Sequence, residues 1–364
     1  MSDVQTLTRK DFSSDQEVRW CPGCGDYAIL NTVQGVMPDL GLPREDIVFV
    51  SGIGCAARFP YYMETYGFHG IHGRAPAIAT GIAAARPELK VFVATGDGDA
   101  LSIGGNHLIH AMRRNTDLTI LMFNNQIYGL TKGQYSPTSE LGKITKSTPH
   151  GSLEVPFNPV SVALGAEASF VARSIDNERQ HLADMIKRAA EHRGAAFVEI
   201  YQNCNIFNDG AFDAVRKNVP NQIRLEHGEP VRFGEHGQHG VVMAGGSELE
   251  VVDVEGAEPA EGETLGAQRR LVPPDQLLVH DAHRDDAGLA FALSRLAHTP
   301  TGPTPIGLFR QVERPEYGEQ MQAQLDDARL RKGSGDLQGL LTGSDTWTVG
   351  ADASSNGHGG NGQA

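Results

Sequence analysis

No run in this 364-residue chain approaches the roughly 18 consecutive apolar residues that a membrane-spanning helix needs. A role inside a bilayer is therefore not expected. The first stretch, Met1 to Glu17, is polar and mixed in charge and lacks the apolar core of a secretory leader, so a cytoplasmic location is expected. Basic residues are in deficit, 31 Lys and Arg against 45 Asp and Glu, for a formal net charge of −14. Such a chain repels a phosphate backbone, which argues against nucleic acid as a partner. Cysteine is scarce too: Cys21, Cys24, Cys55 and Cys204 are the four in the chain. In a long, unsecreted protein these do not make a disulfide framework. Each has to be explained as a buried thiol, a nucleophile or a metal ligand. There is no internal repeat.

Up to about Val219 the chain alternates short apolar runs with helical stretches. Ile47–Ser51, Leu89–Ala94, Leu118–Phe123 and Ala195–Tyr201 read as strands buried on both faces. Tyr27–Val36, Asn106–Arg114 and Glu178–His192 read as helices. This alternation predicts an α/β fold with a doubly wound, mostly parallel sheet. We expect an N-terminal segment over 1–17, the α/β domain over 18–220, a C-terminal extension over 221–331 and a disordered tail over 332–364. Ser247–Thr264 holds seven acidic residues and no basic one, and reads as a mobile loop. Pro305–Arg310 reads as a last strand and Glu319–Arg331 as a helix.

Gly96-Asp97-Gly98 follows one predicted strand, and Asn124-Asn125-Gln126-Ile127-Tyr128 ends the next. Asp97 and Asn125 are 28 positions apart, the length of one β-α-β unit. Both are thus expected at the carboxyl ends of neighbouring parallel strands, where such sheets bind ligands. A carboxylate, an amide oxygen and a backbone carbonyl are hard donors suited to Mg²⁺, which completes its shell with phosphates and water. Gly96, Gly98, Gly104 and Gly105 let a phosphate approach the backbone, and the helix from Asn106 can turn its N-terminus to it. Taken alone, Gly-Asp-Gly is a common turn with a solvated Asp. The spacing and strand context favour a site.

Cys21-Pro22-Gly23-Cys24 precedes a helix, while Cys55 and Cys204 each follow a predicted strand. All can reach the same sheet edge. Four thiolates hold Zn²⁺ or a [4Fe–4S] cluster, and the spacing alone leaves both open, with inert buried thiols as a third reading.

The string from Gly96 to Asn115, with Asn124-Asn125 and Tyr128-Gly-Leu-Thr-Lys-Gly-Gln-Tyr-Ser-Pro-Thr-Ser139, resembles the β subunits of 2-oxoacid:ferredoxin oxidoreductases, which have the thiamine diphosphate-binding fold. Trp20-Cys-Pro-Gly-Cys-Gly25, Gly52-Ile-Gly-Cys55 and Gln202-Asn-Cys-Asn205 resemble their cluster-ligand segments. The resemblance spans roughly 18–235 strongly and implies three cofactors: thiamine diphosphate, Mg²⁺ and a [4Fe–4S] cluster. It implies Mg²⁺ on Asp97, Asn125 and the Ile127 carbonyl, and the cluster on Cys21, Cys24, Cys55 and Cys204. Ile53, Gly54, His72, Gly96, Gly98, Asp99, Gly129 and Leu130 are implied beside the cofactor. Arg58 and His72 are candidates for catalysis and substrate carboxylate binding, against a surface salt bridge for Arg58 and a turn contact for His72. Asn106, His107 and Lys132 lie beside the motif halves. His69-Gly-Ile-His-Gly-Arg-Ala75 and Phe309-Arg-Gln-Val-Glu-Arg-Pro315 resemble the 2-oxoglutarate enzymes most. The implied reaction is oxidative decarboxylation of 2-oxoglutarate with coenzyme A to succinyl-CoA and CO₂, with ferredoxin taking the electrons. The carboxylate beside the aminopyrimidine is expected from an α subunit. Pyruvate or another 2-oxoacid as substrate, and a non-catalytic Cys₄ metal-binding module, are the alternatives.

Overall fold

The computed structural model of the chain describes residues 7–246, 248–296, 302–344 and 346–347. Twelve strands follow in order: β1 (Ile47–Ser51), β2 (Tyr66–His69), β3 (Lys90–Gly96), β4 (Leu118–Asn124), β5 (Phe170–Ile175), β6 (Ala195–Tyr201), β7 (Gln222–Leu225), β8 (Arg232–Phe233), β9 (His239–Gly245), β10 (Glu248–Val254), β11 (Leu271–Val272) and β12 (Thr304–Gln311). Six helices frame the site: α1 (Asp26–Val36), α2 (Ala75–Ala85), α3 (Asp97–Leu101), α4 (Gly105–Arg113), α5 (Pro159–Gly165) and α6 (Arg179–Glu191).

The main sheet has the order β2-β1-β3-β4-β6-β5-β12-β7. All its pairs are parallel except β5 with β12. The strand order turns back between β1 and β3, and a crevice opens at the carboxyl ends on either side of such a reversal. Period-two alternation sends side chains to both faces. Val48, Val50, Val91 and Val93 pack with residues of α2, α4 and α5. Ile47, Phe49, Phe92 and Phe123 pack with residues of α1 and α6. Double coverage explains why β1, β4 and β6 are buried along their whole length and read as mainly apolar runs.

The expected strands and helices are present within one or two residues of their predicted bounds. Several elements were not anticipated. β5 is fully buried but carries Arg173, which interrupts its apolar run. β2 is a short, exposed edge strand. Residues 248–254 of the acidic stretch, expected as a mobile loop, form β10, paired antiparallel with β9. Val252, Asp253 and Val254 are buried while Glu248 is exposed, so the acidic composition masked a strand whose second half is enclosed. Ser247 lies outside the described residues. The expected C-terminal extension does not stand apart from the α/β domain, because β7 and β12 join the main sheet while β8–β11 form a second sheet.

The described residues up to Glu319 make one compact unit, and those from Gln320 a second, small one. The helix expected over 319–331 runs from Tyr317 to Lys332. Of the tail expected to be disordered, Leu337–Thr342 is a helix capped by the Asp336 carboxylate, which accepts from Gly339 N. Residues 345 and 348–364 lie outside the described residues. Among the described residues no helix is long and apolar enough to cross a membrane.

His192, which is buried, and His181, which is half-buried, give the unit an acid-sensitive margin. His192 Nε2 meets Ser169 Oγ at 2.7 Å and His181 Nδ1 meets Ser174 Oγ at 2.8 Å. Burial pushes both down from 6.5 to about 4. The native state keeps them neutral while the unfolded chain protonates them, so their contribution is present above pH 6.5 and is lost as pH falls toward 4. The urea midpoint of a variant with both histidines replaced by glutamine should gain on that of the parent as pH falls through this window; a constant difference between the two would assign the acid sensitivity elsewhere.

A candidate cofactor site at the carboxyl edge of the main sheet

β3 ends at Gly96, and Asp97 opens α3 with its carboxylate 2 % exposed. Asp97 Oδ2 accepts from Ser136 Oγ at 2.5 Å and Thr138 Oγ1 at 2.6 Å. Burial raises the Asp97 carboxyl to about 6 in spite of those donors, which is the electrostatic state of an anion that lacks a countercharge. Gly98 is required by a close approach. A Cβ there would stand 2.2 Å from the Tyr128 ring, whose hydroxyl donates to Gly98 O at 3.1 Å.

The adjacent strand β4 ends in a strained turn. Gln126 adopts φ +56°, a left-handed conformation rare outside glycine. The two side chains before it hold the turn: Asn124 Oδ1 accepts from Gln126 N at 3.2 Å and Asn125 Oδ1 from Ile127 N at 3.1 Å. Asn125 Nδ2 donates to Gln202 Oε1 at 2.8 Å, which ties β4 to the end of β6. Asn208 Nδ2 donates to Asn125 O at 2.9 Å.

Asp99, 3 % exposed, joins the third wall. Its Oδ1 accepts from Ile53 N at 3.1 Å, Gly73 N at 2.7 Å and His72 Nδ1 at 2.6 Å, and its Oδ2 from Thr95 Oγ1 at 2.9 Å. Gly73 has φ +73°, and an added Cβ would come within 2.5 Å of Gly104 N, so the two loops touch backbone to backbone. One cavity is lined by Gly96, Asp97, Gly98 and Asp99, by Asn125 and Ile127 to Thr131, and by Ile53, Gly54, Cys55 and His72. Both halves of the motif and the loop after β1 thus face the same space, and the glycines keep its walls free of side chains.

The thiols gather beside it. Cys55 and Cys204 converge on Gly129, where a Cβ would lie 3.5 Å from both sulfurs. Cys24 Sγ accepts from Gln202 Nε2 at 3.3 Å. The Cys21–Cys24 loop is fastened to the Cys204 loop, since Asn205 Nδ2 donates to Pro22 O at 2.7 Å and Gly25 N to Asn203 O at 3.1 Å. Burial, then Asp26, then Cys204 and Cys21 push the Cys55 thiol up to about 12, with Arg58 opposing. Burial also raises Cys24, with Asp26, Cys55 and Cys204 adding to it. Crowded thiols of this kind become thiolates readily only with a metal among them. Cys204 is buried and Cys21 exposed, so the group runs from the cavity to the surface. Among the described residues no three His, Cys, Asp or Glu stand close enough to hold one metal ion as they are.

Arg58 lies in the turn Ala56–Tyr62 and forms no ion pair among the described residues. It lines a neighbouring cavity of about 410 Å³ with Arg19, Tyr61 and His69, and this cavity shares Ile53, Gly54 and Leu130 with the first. His72 combines both expected characters, a turn contact through Asp99 and a place on the cavity wall. Asn106, His107 and Lys132 do not line the cavity. Sequence reasoning assigned no role to Ser136, Thr138, Gln202 or Asp26. The last is 1 % exposed on the cavity wall, with neither carboxylate oxygen hydrogen-bonded, and burial raises it to about 7. Its position two residues after Cys24 was the available signal.

Comparison with known proteins agrees with this geometry. Residues 52–200 match the thiamine pyrophosphate enzyme family, C-terminal TPP-binding domain. The chain is 59% identical over 344 residues to a Mycobacterium tuberculosis protein named 2-oxoglutarate oxidoreductase subunit KorB, covering 93% of this chain and 88% of the relative. It is 44% identical over 199 residues to the β subunit of 2-oxoacid:ferredoxin oxidoreductase 2 from Aeropyrum pernix, covering 55% of this chain and 64% of that one. Among solved structures, a 2-oxoglutarate:ferredoxin oxidoreductase from Magnetococcus marinus, with 2-oxoglutarate, coenzyme A and succinyl-CoA bound, matches with TM-score 0.71 at 32% identity. That match covers 93% of this chain and 96% of the other.

Gly129 tests what the sulfurs surround. An alanine methyl would make ordinary contact with Cys55 and Cys204, so Gly129→Ala should leave the melting temperature of the metal-free chain unchanged. The same methyl takes space between the sulfurs, and iron retained per chain after anaerobic reconstitution should fall by at least half. Full iron retention would place any bound metal elsewhere.

Proposed function

Because the chain belongs to the β subunits of the 2-oxoacid:ferredoxin oxidoreductases, we propose that with an α subunit it oxidatively decarboxylates 2-oxoglutarate, giving succinyl-CoA and CO₂ and passing electrons to ferredoxin. The observation that carries this reading is the meeting of Gly96–Asp99, Asn125–Leu130 and Cys55 in one cavity. The Mycobacterium tuberculosis relative named for 2-oxoglutarate supports the substrate.

The buried carboxylate of Asp97 and the amide of Asn125 supply the donor chemistry that Mg²⁺ takes, with the Ile127 carbonyl completing the protein's share. The diphosphate would lie against Gly96, Gly98 and Gly129, where no side chain blocks the backbone. Thiamine diphosphate, when bound, supplies the electron sink for loss of CO₂. Cys21, Cys24, Cys55 and Cys204 would hold a [4Fe–4S] cluster, whose ligands are thiolates of this kind. Asp99 fixes the His72 ring through Nδ1 and leaves Nε2 without a protein partner among the described residues. His72 can therefore meet a ligand with a defined ring orientation.

Arg58, unpaired and next to the cavity, is the side chain we assign to a substrate carboxylate. A hydrogen-bonded contact to a charged group contributes about 1.5–3 kcal/mol. Arg58→Leu should therefore lower kcat/KM for 2-oxoglutarate by roughly 10- to 100-fold. An unchanged kcat/KM would remove Arg58 from the substrate site.

The reading is tested on protein co-purified with its α partner without oxygen. Iron, sulfide and thiamine diphosphate are measured, with coenzyme-A-dependent dye reduction on 2-oxoglutarate and on pyruvate. About four irons per chain, bound thiamine diphosphate and preference for 2-oxoglutarate are expected. Preference for pyruvate would overturn the substrate, and zinc without thiamine diphosphate would overturn the enzymatic reading.

A further inference from the structure

A chain of buried contacts leads from the back of the sheet to the turn that carries Asn125 and Ile127. Arg173 on β5 and Glu199 on β6 are 1 % and 0 % exposed and pair through Arg173 Nε and Glu199 Oε2 at 2.6 Å. The guanidinium is held by further acceptors, Pro305 O at 3.1 Å and Asn158 Oδ1 at 3.3 Å, and lies over the Tyr201 and Phe309 rings. Glu199 Oε1 accepts from Asn124 Nδ2 at 2.7 Å. An ionised carboxylate only accepts, so this bond fixes which way the Asn124 amide faces. Its Oδ1 is thereby turned to Gln126 N at 3.2 Å. Gln126 N belongs to the left-handed turn that carries Asn125 and Ile127.

We propose that the buried Arg173–Glu199 pair is a positioning element for the cation and diphosphate site, acting through the orientation of Asn124. This rests on the proposed role of Asp97 and Asn125. Arg173 holds the Glu199 carboxylate in place, Glu199 keeps the Asn124 carbonyl oxygen forward, and that oxygen holds the Gln126 turn. Without it the amide can flip and present hydrogens to Gln126 N, and the turn that carries Asn125 and Ile127 loses its hold. A buried pair with no such duty adds little to stability, because desolvation offsets its attraction.

That last point makes the pair testable without unfolding the protein. Arg173→Met with Glu199→Leu replaces the two charges by apolar side chains of similar size, a change that is often neutral or stabilising. Binding of Mg²⁺ is measured by calorimetry, with thiamine diphosphate present, on cofactor-stripped αβ protein, alongside the melting temperature. The double variant should melt within a few degrees of the parent and bind Mg²⁺ about 10- to 100-fold more weakly, the usual effect of losing a residue behind a metal ligand. Asn124→Leu should weaken binding similarly, and adding it to the double variant should cost little more, since both act through one chain of contacts. Parent-like affinity in a folded double variant, or in a folded Asn124→Leu, overturns the proposal. If the parent itself binds neither Mg²⁺ nor thiamine diphosphate, the cofactor reading fails instead.

Discussion

The carboxylate of Asp99 lies in the interior with four protein donors on its two oxygens. Those donors come from the end of β3, the loop after β1 and the loop before α2, which are the segments that enclose the cavity on that side. An ionised buried carboxylate is tolerated only with such a full set of partners. Each loop is held because the others are, and removing any donor leaves the charge short of a bond. The neighbouring Asp97 differs. It has two hydroxyl donors, and burial raises it well above the ordinary carboxylate range. Two aspartates two residues apart thus do different work, one fastening the walls and the other left under-compensated at the place where a cation is proposed.

The sheet makes this possible by levelling its carboxyl ends. Ser51 pairs with Ala94, Gly96 with Phe123 and Asn124 with Tyr201. The loops that follow therefore leave from one edge and meet without long excursions. Double-sided packing supports the register: phenylalanines and the helices α1 and α6 on one face, valines and α2, α4 and α5 on the other. A slip of one residue would exchange the two sets.

Much of this could be read from the chain because it depends on local pattern. The apolar runs of β1, β3, β4 and β6 are short and little interrupted, and the 28-residue interval between Asp97 and Asn125 is a property of one β-α-β unit. What escaped depends on long-range compensation. β5 looked broken by Arg173, and only Glu199 on the neighbouring strand makes that charge tolerable. β10 looked like a solvated acidic loop because of its glutamates, yet its second half, Val252 to Val254, is buried, with the Asp253 carboxylate bonded to His239. Ser136 and Thr138 read as loop hydroxyls, since nothing near them in sequence announces the carboxylate 39 and 41 positions earlier. Asp26 gave no sign that its carboxylate would be enclosed without a hydrogen bond.

The fastening of the Cys21–Cys24 loop to the Cys204 loop also has a temporal side. Cys21 and Cys204 are 183 residues apart, and the bonds from Asn205 to Pro22 and from Gly25 to Asn203 require both ends of that interval. A ribosome adding about 5–20 residues per second needs roughly ten to forty seconds to cover it. For that time the first two thiols wait on a nascent chain that cannot enclose them. The four can come together only after β6 and the loop that follows it have been made, with β7 and β12 still to join the main sheet.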